Sequence, residues 1–350
     1  MPPEPRRLVA HALAGILPGL VMAVVFVLVA MAFFISIGKP PLKTMTDMVM
    51  FAVGDTYSLS ETLVKTAPIL LCALATILPA RLGLVSVGAD GQLYVGAIFG
   101  TAVVLAFPGA SAAILLPAML LAGIIGGALW GFAPGLLRGR LDANETIVTL
   151  LMNYIGALLV NALVFGPWKD PSNLGWPATA KFPAGATLPG MFGTRAHLGL
   201  IFGVVAATGF AILLAWSRWG RELTILRGNA KVGRMIGLSF SRQAILVMSL
   251  GGALGGLAGI CEVAAIQGRL QPGISVGYGL TGFLVAWLSG HNALVAIVVS
   301  FLIGGLIAAG DSLQLYAKVP AASATILQGL LFATALAVGG LSRRWGVARG

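Results

Sequence analysis

The chain has 350 residues, 58% of them hydrophobic and only 9% charged, with a formal net charge of +11. A soluble domain carries about 25% charged residues, so this balance excludes a soluble globular protein. Cations this sparse act mainly through their placement, which assigns them to membrane topology rather than to a nucleic-acid partner.

The apolar residues come in runs of roughly 20, enough at about 1.5 Å per residue to cross a hydrocarbon core of about 30 Å. The first, about Leu8 to Ile37 behind Arg6 and Arg7, exceeds the roughly 7–15 apolar residues of a secretory signal and reads as a membrane helix. Candidate spans lie at 10–37, 63–80, 91–108, 112–136, 145–166, 197–217, 242–265, 276–289, 293–310 and 323–341. The expected fold is therefore all-α: a polytopic transmembrane bundle of about ten helices forming a single domain, 1–350. The eighth span is short, and glycine-rich stretches beside the third and eighth predict broken or re-entrant segments. Ser86-Val87-Gly88 before the third span recurs as Ser275-Val276-Gly277 before the eighth, five spans later. That offset is the one an inverted repeat produces, and chance in a glycine- and valine-rich chain is the alternative.

With the N-terminus inside, 14 of the 22 Lys and Arg residues fall in inner segments, which by the positive-inside rule places both ends in the cytoplasm. Two loops stand out by length: 167–196, rich in Pro, Gly and Trp and assigned outside, and 218–241, rich in Arg and assigned inside. The Arg-rich loop by itself is equally compatible with a solvated face or a lipid-surface anchor.

Several polar positions interrupt the apolar pattern. Gly83 to Gln92 reads GLVSVGADGQ, either a turn with Asp90 as N-cap of the next helix or unwound backbone lining a pathway. Asp142 and Glu145 have the spacing of a capping box. Asn153 and Asn161 in the following helix serve substrate contact or interhelical hydrogen bonding. Gly127, Gly131 and Gly135, like Gly251, Gly255 and Gly259, recur every four residues and mark flat faces for close packing. Glu262 and Asp311, near span ends, either bind ligand or reach interfacial water, and snorkelling is the expectation for both.

Catalytic constellations are not visible. Cys72 and Cys261 lie within apolar runs and read as buried inert thiols. His11, His197 and His291 are far apart, without metal-ligand spacing. Gly38-Lys39 is followed by Pro40 rather than by the Ser or Thr of a phosphate-cradling loop. The chain is thus expected to be no enzyme and to bind no cofactor or metal; any ATP that drives it is hydrolysed by another subunit.

Three of these segments resemble a known family, the membrane permeases of bacterial ABC importers for simple sugars, nucleosides and branched-chain amino acids, and most of all its nucleoside branch. Gly83 to Gln92 is similar to that branch's F-N-I-G-A-E-G-Q element, with Ser86-Val87 for Asn-Ile and Asp90 for Glu. Asn144 to Ile155 resembles its N-E-x-I-V-T-L-x-x-N-Y-I helix, and Gly228 to Leu238 its E-N-P-x-A-A-R-x-A-G-I coupling segment. Ala230 stands where the family has a Pro that presets φ, and Gly233 where it has an Ala, a better helix former.

The resemblance implies a permease subunit for a nucleoside or related small polar solute, in a bacterial plasma (inner) membrane. It implies a cytoplasmic ABC ATPase, a second permease subunit, identical or related, and an extracytoplasmic solute-binding protein as partners. Asp90, Gln92 and Asn153 become candidate pathway residues. Gly228, Asn229, Ala230, Lys231, Arg234 and Gly237 become candidate ATPase-coupling residues, on a short amphipathic helix from about Ala230 to Leu238. A sugar or branched-chain amino-acid permease is the runner-up within this class. An ion-coupled secondary transporter fits the helix plan but not the scarcity of mid-span acids, and a membrane-embedded enzyme lacks a clustered site.

Overall fold

A computed structural model describes residues 5–344, apart from 174, 192 and 321. Among these residues the regular structure is helical: α1 (Pro5–Ser36), α2 (Pro41–Val53), α3 (Thr56–Ala80), α4 (Ala89–Ala106), α5 (Ala112–Leu141), α6 (Glu145–Phe165), α7 (Gly199–Trp216), α8 (Arg218–Gly228), α9 (Ala230–Met235), α10 (Phe240–Glu262), α11 (Tyr278–Leu288), α12 (Ala293–Tyr316) and α13 (Ser323–Arg344). Eight of the described helices are long and apolar enough to cross a membrane; Tyr278–Leu288 and Ser323–Val338 are shorter apolar helices. The all-α membrane bundle expected from sequence is thus the observed fold. The expected spans leave 38–62 unassigned, whereas α2 and the first turn of α3 occupy much of it. Pro41 starts α2 because its fixed φ and missing N–H suit a first helical position.

The chain divides into two compact units, Met1–Thr62 with Gly305–Gly350, and Leu63–Gly304. In the first, Ala30 and Phe34 of α1 bury against Leu327 of α13, with Met45 and Met48 of α2 beside them. Lys39 donates to the Ala317 carbonyl at 2.7 Å, and the Phe51 and Tyr316 rings stack with centroids 5.5 Å apart.

The second unit is organised by glycine. A Cβ on Gly127 would run into the Gly252 carbonyl and Gly256 Cα, and one on Gly131 into the Met248 carbonyl. On α10, therefore, it is Gly252 and Gly256 that seat the stripe of α5. The stripe singled out from the sequence, Gly251, Gly255 and Gly259, faces elsewhere. Gly251 lies on the Ala75 carbonyl of α3, Gly255 on Gln92 of α4, and Gly259 on the Leu93 carbonyl of α4. Two glycine faces on one helix let three neighbours approach closely, and in lipid such van der Waals contact is the main attraction between helices. Cys72 and Cys261 are buried free thiols in this core.

The segment 167–196 folds back onto the far end of α10. Beyond Glu262 the helix widens into one π turn, Val263–Gln267, and the loop pairs with the backbone of residues 264–270. Thr179 N–H donates to the Leu270 carbonyl at 2.9 Å, Phe182 N–H to Gly268 at 2.8 Å and Leu188 N–H to Ala264 at 3.1 Å. This roof explains a departure from expectation. Glu262 does not snorkel; it is buried, because the loop covers the end of its helix. Asp311, in contrast, is exposed.

His197 anchors the end of this loop, buried, with Nδ1 accepting the Gly199 N–H at 3.1 Å. Burial pushes its pKa down from 6.5 to about 4. The fold thus favours the neutral ring while the unfolded chain takes a proton below about 6.5, so this contribution to stability is full above that pH and is lost on acidification toward 4. Thermal unfolding of the detergent-purified protein should show that loss, and His197→Gln should flatten it.

A second expectation concerns the glycine core. Gly256→Ala must push α10 away from Gly123 and Gly127 and should cost about 1–3 kcal/mol, the usual penalty of overpacking. Gly209→Ala, with nothing within 4 Å, should be neutral or stabilising in the same melt.

Candidate functional site

The segment between α3 and α4 carries the first of the three motifs. Gly83, at φ +85°, turns the chain out of α3, and residues 84–87 run without regular structure before Gly88 opens α4. Unwound backbone in a membrane bundle needs partners for each N–H and C=O. Among side chains, those of α6 supply most of them. Val85 N–H donates to Glu145 Oε1 at 3.1 Å, and the Val85 carbonyl accepts from the Thr146 hydroxyl at 3.1 Å. Val87 N–H donates to Thr149 Oγ1 at 3.2 Å. The Val87 carbonyl takes Asn153 Nδ2 at 2.8 Å, while Asn153 Oδ1 accepts the Gly91 N–H, also at 2.8 Å. Glu145, Thr149 and Asn153 stand at i, i+4 and i+8, the spacing that aligns side chains along one helix face. The polar positions of the second motif are therefore a ladder for the backbone of the first.

Glycine makes the approach possible. A Cβ at Gly88 would press on Thr149, and one at Gly91 would meet Trp130 Nε1, the Met152 carbonyl and Asn153 Cα. Side-chain amides and hydroxyls can reach the segment only because nothing stands between it and α6.

Two sequence readings are corrected at these helix ends. The capping-box reading of Asp142 and Glu145 fails: Asn144 caps α6, accepting from the N–H groups of Thr146 and Ile147 at 3.0 and 3.2 Å. Asp142 instead ends α5 in the left-handed region at φ 52°, where it pairs with Arg138. Glu145, already engaged with Val85, also pairs with Arg138 Nε at 3.2 Å. Asp90 is not the N-cap of its own helix either, because Gly88 holds that place.

What Asp90 does is cap a different helix. One carboxylate oxygen accepts the Ser275 hydroxyl at 2.6 Å and the Gly279 N–H at 2.9 Å, and the other the Leu280 N–H at 3.2 Å. These amides belong to the first turn of α11, whose N-cap residue, Gly277, has no side chain to satisfy them. A carboxylate there also faces the positive end of the helix dipole. Gly279 lets the two chain segments touch, since a Cβ would overlap the Asp90 backbone. The Ser-Val-Gly echo thus marks the entries of two adjoining helices, α4 and α11. Its backbones differ in hand, with Gly88 at φ −85° and Gly277 at +87°.

Gln92 is buried on α4 against Gly255, and its Oε1 has no hydrogen-bond partner among the described residues. Of the three candidate pathway residues, Asp90 and Asn153 are spent on backbone groups, whereas Gln92 retains an acceptor. The structure adds Glu145, Thr149, Ser275 and Gly279 to the site. The four-residue polar spacing from 145 to 153 is the signal in the sequence that marks the first two.

The Arg-rich segment forms two short helices. Leu223 and Leu226 of α8 bury with Leu78, Leu82 and Leu84 and with Ala244, Val247 and Met248 of α10. Gly228 ends α8, and Asn229 caps α9 by accepting from Lys231 and Val232 N–H at 2.9 and 3.3 Å. That cap starts the helix at Ala230 without the family's Pro. A Cβ at Gly233, where the family has Ala, would require the end of the Leu226 side chain to shift. Gly237, at φ +83°, stops the helix, so it ends at Met235 rather than extending to Leu238. Met235 is 87% exposed and Ile236 59%, with exposed Lys231 and Arg234 beside them. A cavity of about 660 Å³ bordered by Arg138, Arg140, Arg234 and Ser241 opens next to α9.

A second link ties this segment to the unwound one. Arg227 lies against Gly83 and lines a cavity of about 120 Å³ with Val85, Trp287 and His291. Arg81 donates to the His291 carbonyl at 2.9 Å, joining the ends of α3 and α11. Burial, then the Arg227 and Arg81 charges, hold His291 below its ordinary pKa.

Asn153→Ala should release the Gly91 N–H and the Val87 carbonyl together, at roughly 1–3 kcal/mol for each buried group left unmade. Hydrogen exchange of the peptide spanning 83–92 should accelerate in this variant, while exchange in α5 stays slow.

The chain matches the family model described as branched-chain amino acid transport system / permease component over residues 58–336. It is 32% identical over 341 residues to a glucose ABC transporter permease protein of Haloferax volcanii, covering 94% of this chain and 88% of that one. It is 33% identical to a guanosine ABC transporter permease protein of Bacillus subtilis, covering 72% and 73%. A ribose import permease protein of Escherichia coli is 32% identical over 51% of this chain and 55% of its own length.

Proposed function

The chain belongs to the permease-component family of branched-chain amino acid transport systems, and from that premise we propose that it forms the membrane pathway for a nucleoside or related small polar solute in an importer powered by a separate ATPase subunit. The observation that carries the coupling half of this reading is α9. It is a capped helix with exposed Met235 and Ile236 beside Lys231 and Arg234, and it is mounted on α8, whose leucines are part of the core. An apolar tip flanked by cations suits a cleft in a cytoplasmic protein, and a rigid mount transmits force where a flexible loop would dissipate it. Gly228, Asn229, Ala230, Lys231, Arg234 and Gly237 are the coupling residues in this proposal.

The nucleoside assignment is supported by the similarity to the guanosine permease and to a nucleoside permease of Lactococcus lactis, 27% identical over 292 residues. The glucose and ribose permeases among the relatives favour a sugar as the second reading. Asp90, Gln92 and Asn153 belong to the pathway as its frame and lining: Asp90 and Asn153 hold the unwound segment and α11, and Gln92 is left to meet solute. The arrangement has both termini in the cytoplasm of a bacterial plasma membrane, a second permease subunit alongside, and a solute-binding protein delivering from outside. Closure of the ATPase dimer acts on α9 and α8, and through Arg227 and Gly83 on the unwound segment, biasing two states by contacts that differ between them.

The test is co-purification of the tagged chain with its ATPase, before and after replacing Gly228 to Leu238 by a flexible linker of equal length. Capture by the native chain and its loss on replacement is the expected result. Intact protein that captures no ATPase in either form, or vesicle uptake that collapses with an ionophore while ATP is intact, would refute the reading.

A further inference from the structure

The basic cavity beside α9 has no part in the importer reading. Arg138 and Arg140 at the end of α5 and Arg234 of α9 border about 660 Å³ of open space. Gly139 brings the start of α10 against this end, since a Cβ there would fall 2.7 Å from Ser241 Oγ, and the Arg138 guanidinium lies over the Phe240 ring at 5.9 Å. The nearby acids are spent: Asp142, the acid among the lining residues, and Glu145 both pair with Arg138. Arg140 and Arg234 have no hydrogen bond or ion pair among the described residues. Two unpaired guanidinium groups brought to one cavity by separate elements, with a serine hydroxyl on its wall, suit a phosphate, which arginine binds through paired N–H groups.

The face of α5 that leads to the cavity indicates where such a phosphate comes from. Ile125, Leu129 and Phe132 are exposed and apolar, and Arg140 stands at i+11 from Leu129 and i+15 from Ile125, close to whole turns along one stripe. Leu129 also borders a second cavity of about 510 Å³, lined mainly by apolar side chains such as Phe99 and Leu159. From Leu129 to Arg140 the helix rises about 16 Å, close to half of a hydrocarbon core of roughly 30 Å. A charged head at Arg140 and an acyl chain reaching Leu129 thus fit one molecule lying in one leaflet. Basic pockets between membrane helices on the cytoplasmic side are the setting in which anionic headgroups bind.

We infer that this cavity holds the phosphate of an anionic phospholipid of the inner leaflet, with Arg140 and Arg234 as its ligands and an acyl chain along Ile125 and Leu129. A lipid held in this way ties the end of α5 to α9 and so stiffens the mount of the coupling helix. The importer reading enters only in placing this end of the bundle inside.

The binding assay contains no ATPase, so its failure is distinct from failure of the coupling reading. The purified full chain is loaded with phosphatidylglycerol or with phosphatidylcholine of the same acyl chains, and retained lipid is counted by native mass spectrometry. Phosphatidylglycerol should be retained roughly ten- to thirtyfold better, and Arg140→Gln should lower that preference about fivefold, the worth of one arginine beside an anionic headgroup. Arg140→Lys should lose less. Arg221→Gln, at an exposed position of α8 outside the cavity lining, should lose nothing. Phosphatidylglycerol with a photoreactive headgroup should label peptides spanning 138–142 and 234–241. Equal retention of the two lipids, no loss in Arg140→Gln, an equal loss in Arg221→Gln, or labelling confined to other peptides would each overturn the inference. Release by added inorganic phosphate would overturn it in favour of a free anion, and release on adding the ATPase in favour of an acidic group of that partner.

Discussion

Backbone without helix inside an apolar bundle must find a partner for every amide and carbonyl, and the architecture of this protein derives from how that need is met between α3 and α4. Most of the side-chain partners come from α6, and Thr76 of α3 adds a hydroxyl to the Ser86 carbonyl. Glu145, Thr149 and Asn153 reach Val85, Val87 and Gly91 in order. That solution requires α6 to lie against the segment, which requires Gly88 and Gly91, whose missing side chains leave room for Thr149 and Asn153. The segment can then deliver Asp90 to the start of α11, where it supplies the cap that Gly277 lacks. Each element is local in cause and distant in effect: residues about 60 positions apart, and then about 190 apart, become one polar cluster.

The rest of the second unit keeps that cluster in place. The α10 helix is the common neighbour, with Gly252 and Gly256 toward α5 and Gly251, Gly255 and Gly259 toward α3 and α4. Close backbone contact stands in for the hydrophobic force that lipid does not provide. It also leaves no slack, so a displacement of α10 is felt by Gln92 and by Glu262. At the other end of the same helix, Ala244, Val247 and Met248 pack with the leucines of α8. The exposed helix α9 is therefore joined to the polar cluster through packed elements.

Charge is distributed to match. Cations gather around the ends of α3 and α8, where Arg81 and Arg227 meet His291 at the end of α11, and near α9, where Arg138, Arg140 and Arg234 border an open cavity. Within the helical core the acids are few and each is placed. Asp90 caps α11, Glu145 holds Val85 and Arg138, and Glu262 lies buried at the end of α10, one oxygen without a partner among the described residues.

The membrane class, the all-α architecture, the short eighth span and the identity of the three motif segments are legible in residues 1–350 because each depends on runs, spacing or local residue chemistry. The helix start at Pro41 and the capping role of a residue such as Asn144 are local too, although two acceptable caps two residues apart let the box spacing point to Asp142 instead. What the chain alone did not decide was pairing. Asp90 was legible as an acid at a helix start, but not as the cap of a helix nearly 190 residues later. The glycine stripe at 251, 255 and 259 was legible as a contact face, but not that its neighbours Gly252 and Gly256 meet α5. Glu262 looked free to reach water because nothing near it in sequence announces the loop that covers it. Spacing along a helix determines which side chains share a face; only tertiary packing decides what that face meets, because the energy of a buried polar or glycine contact depends on atoms brought from elsewhere in the chain.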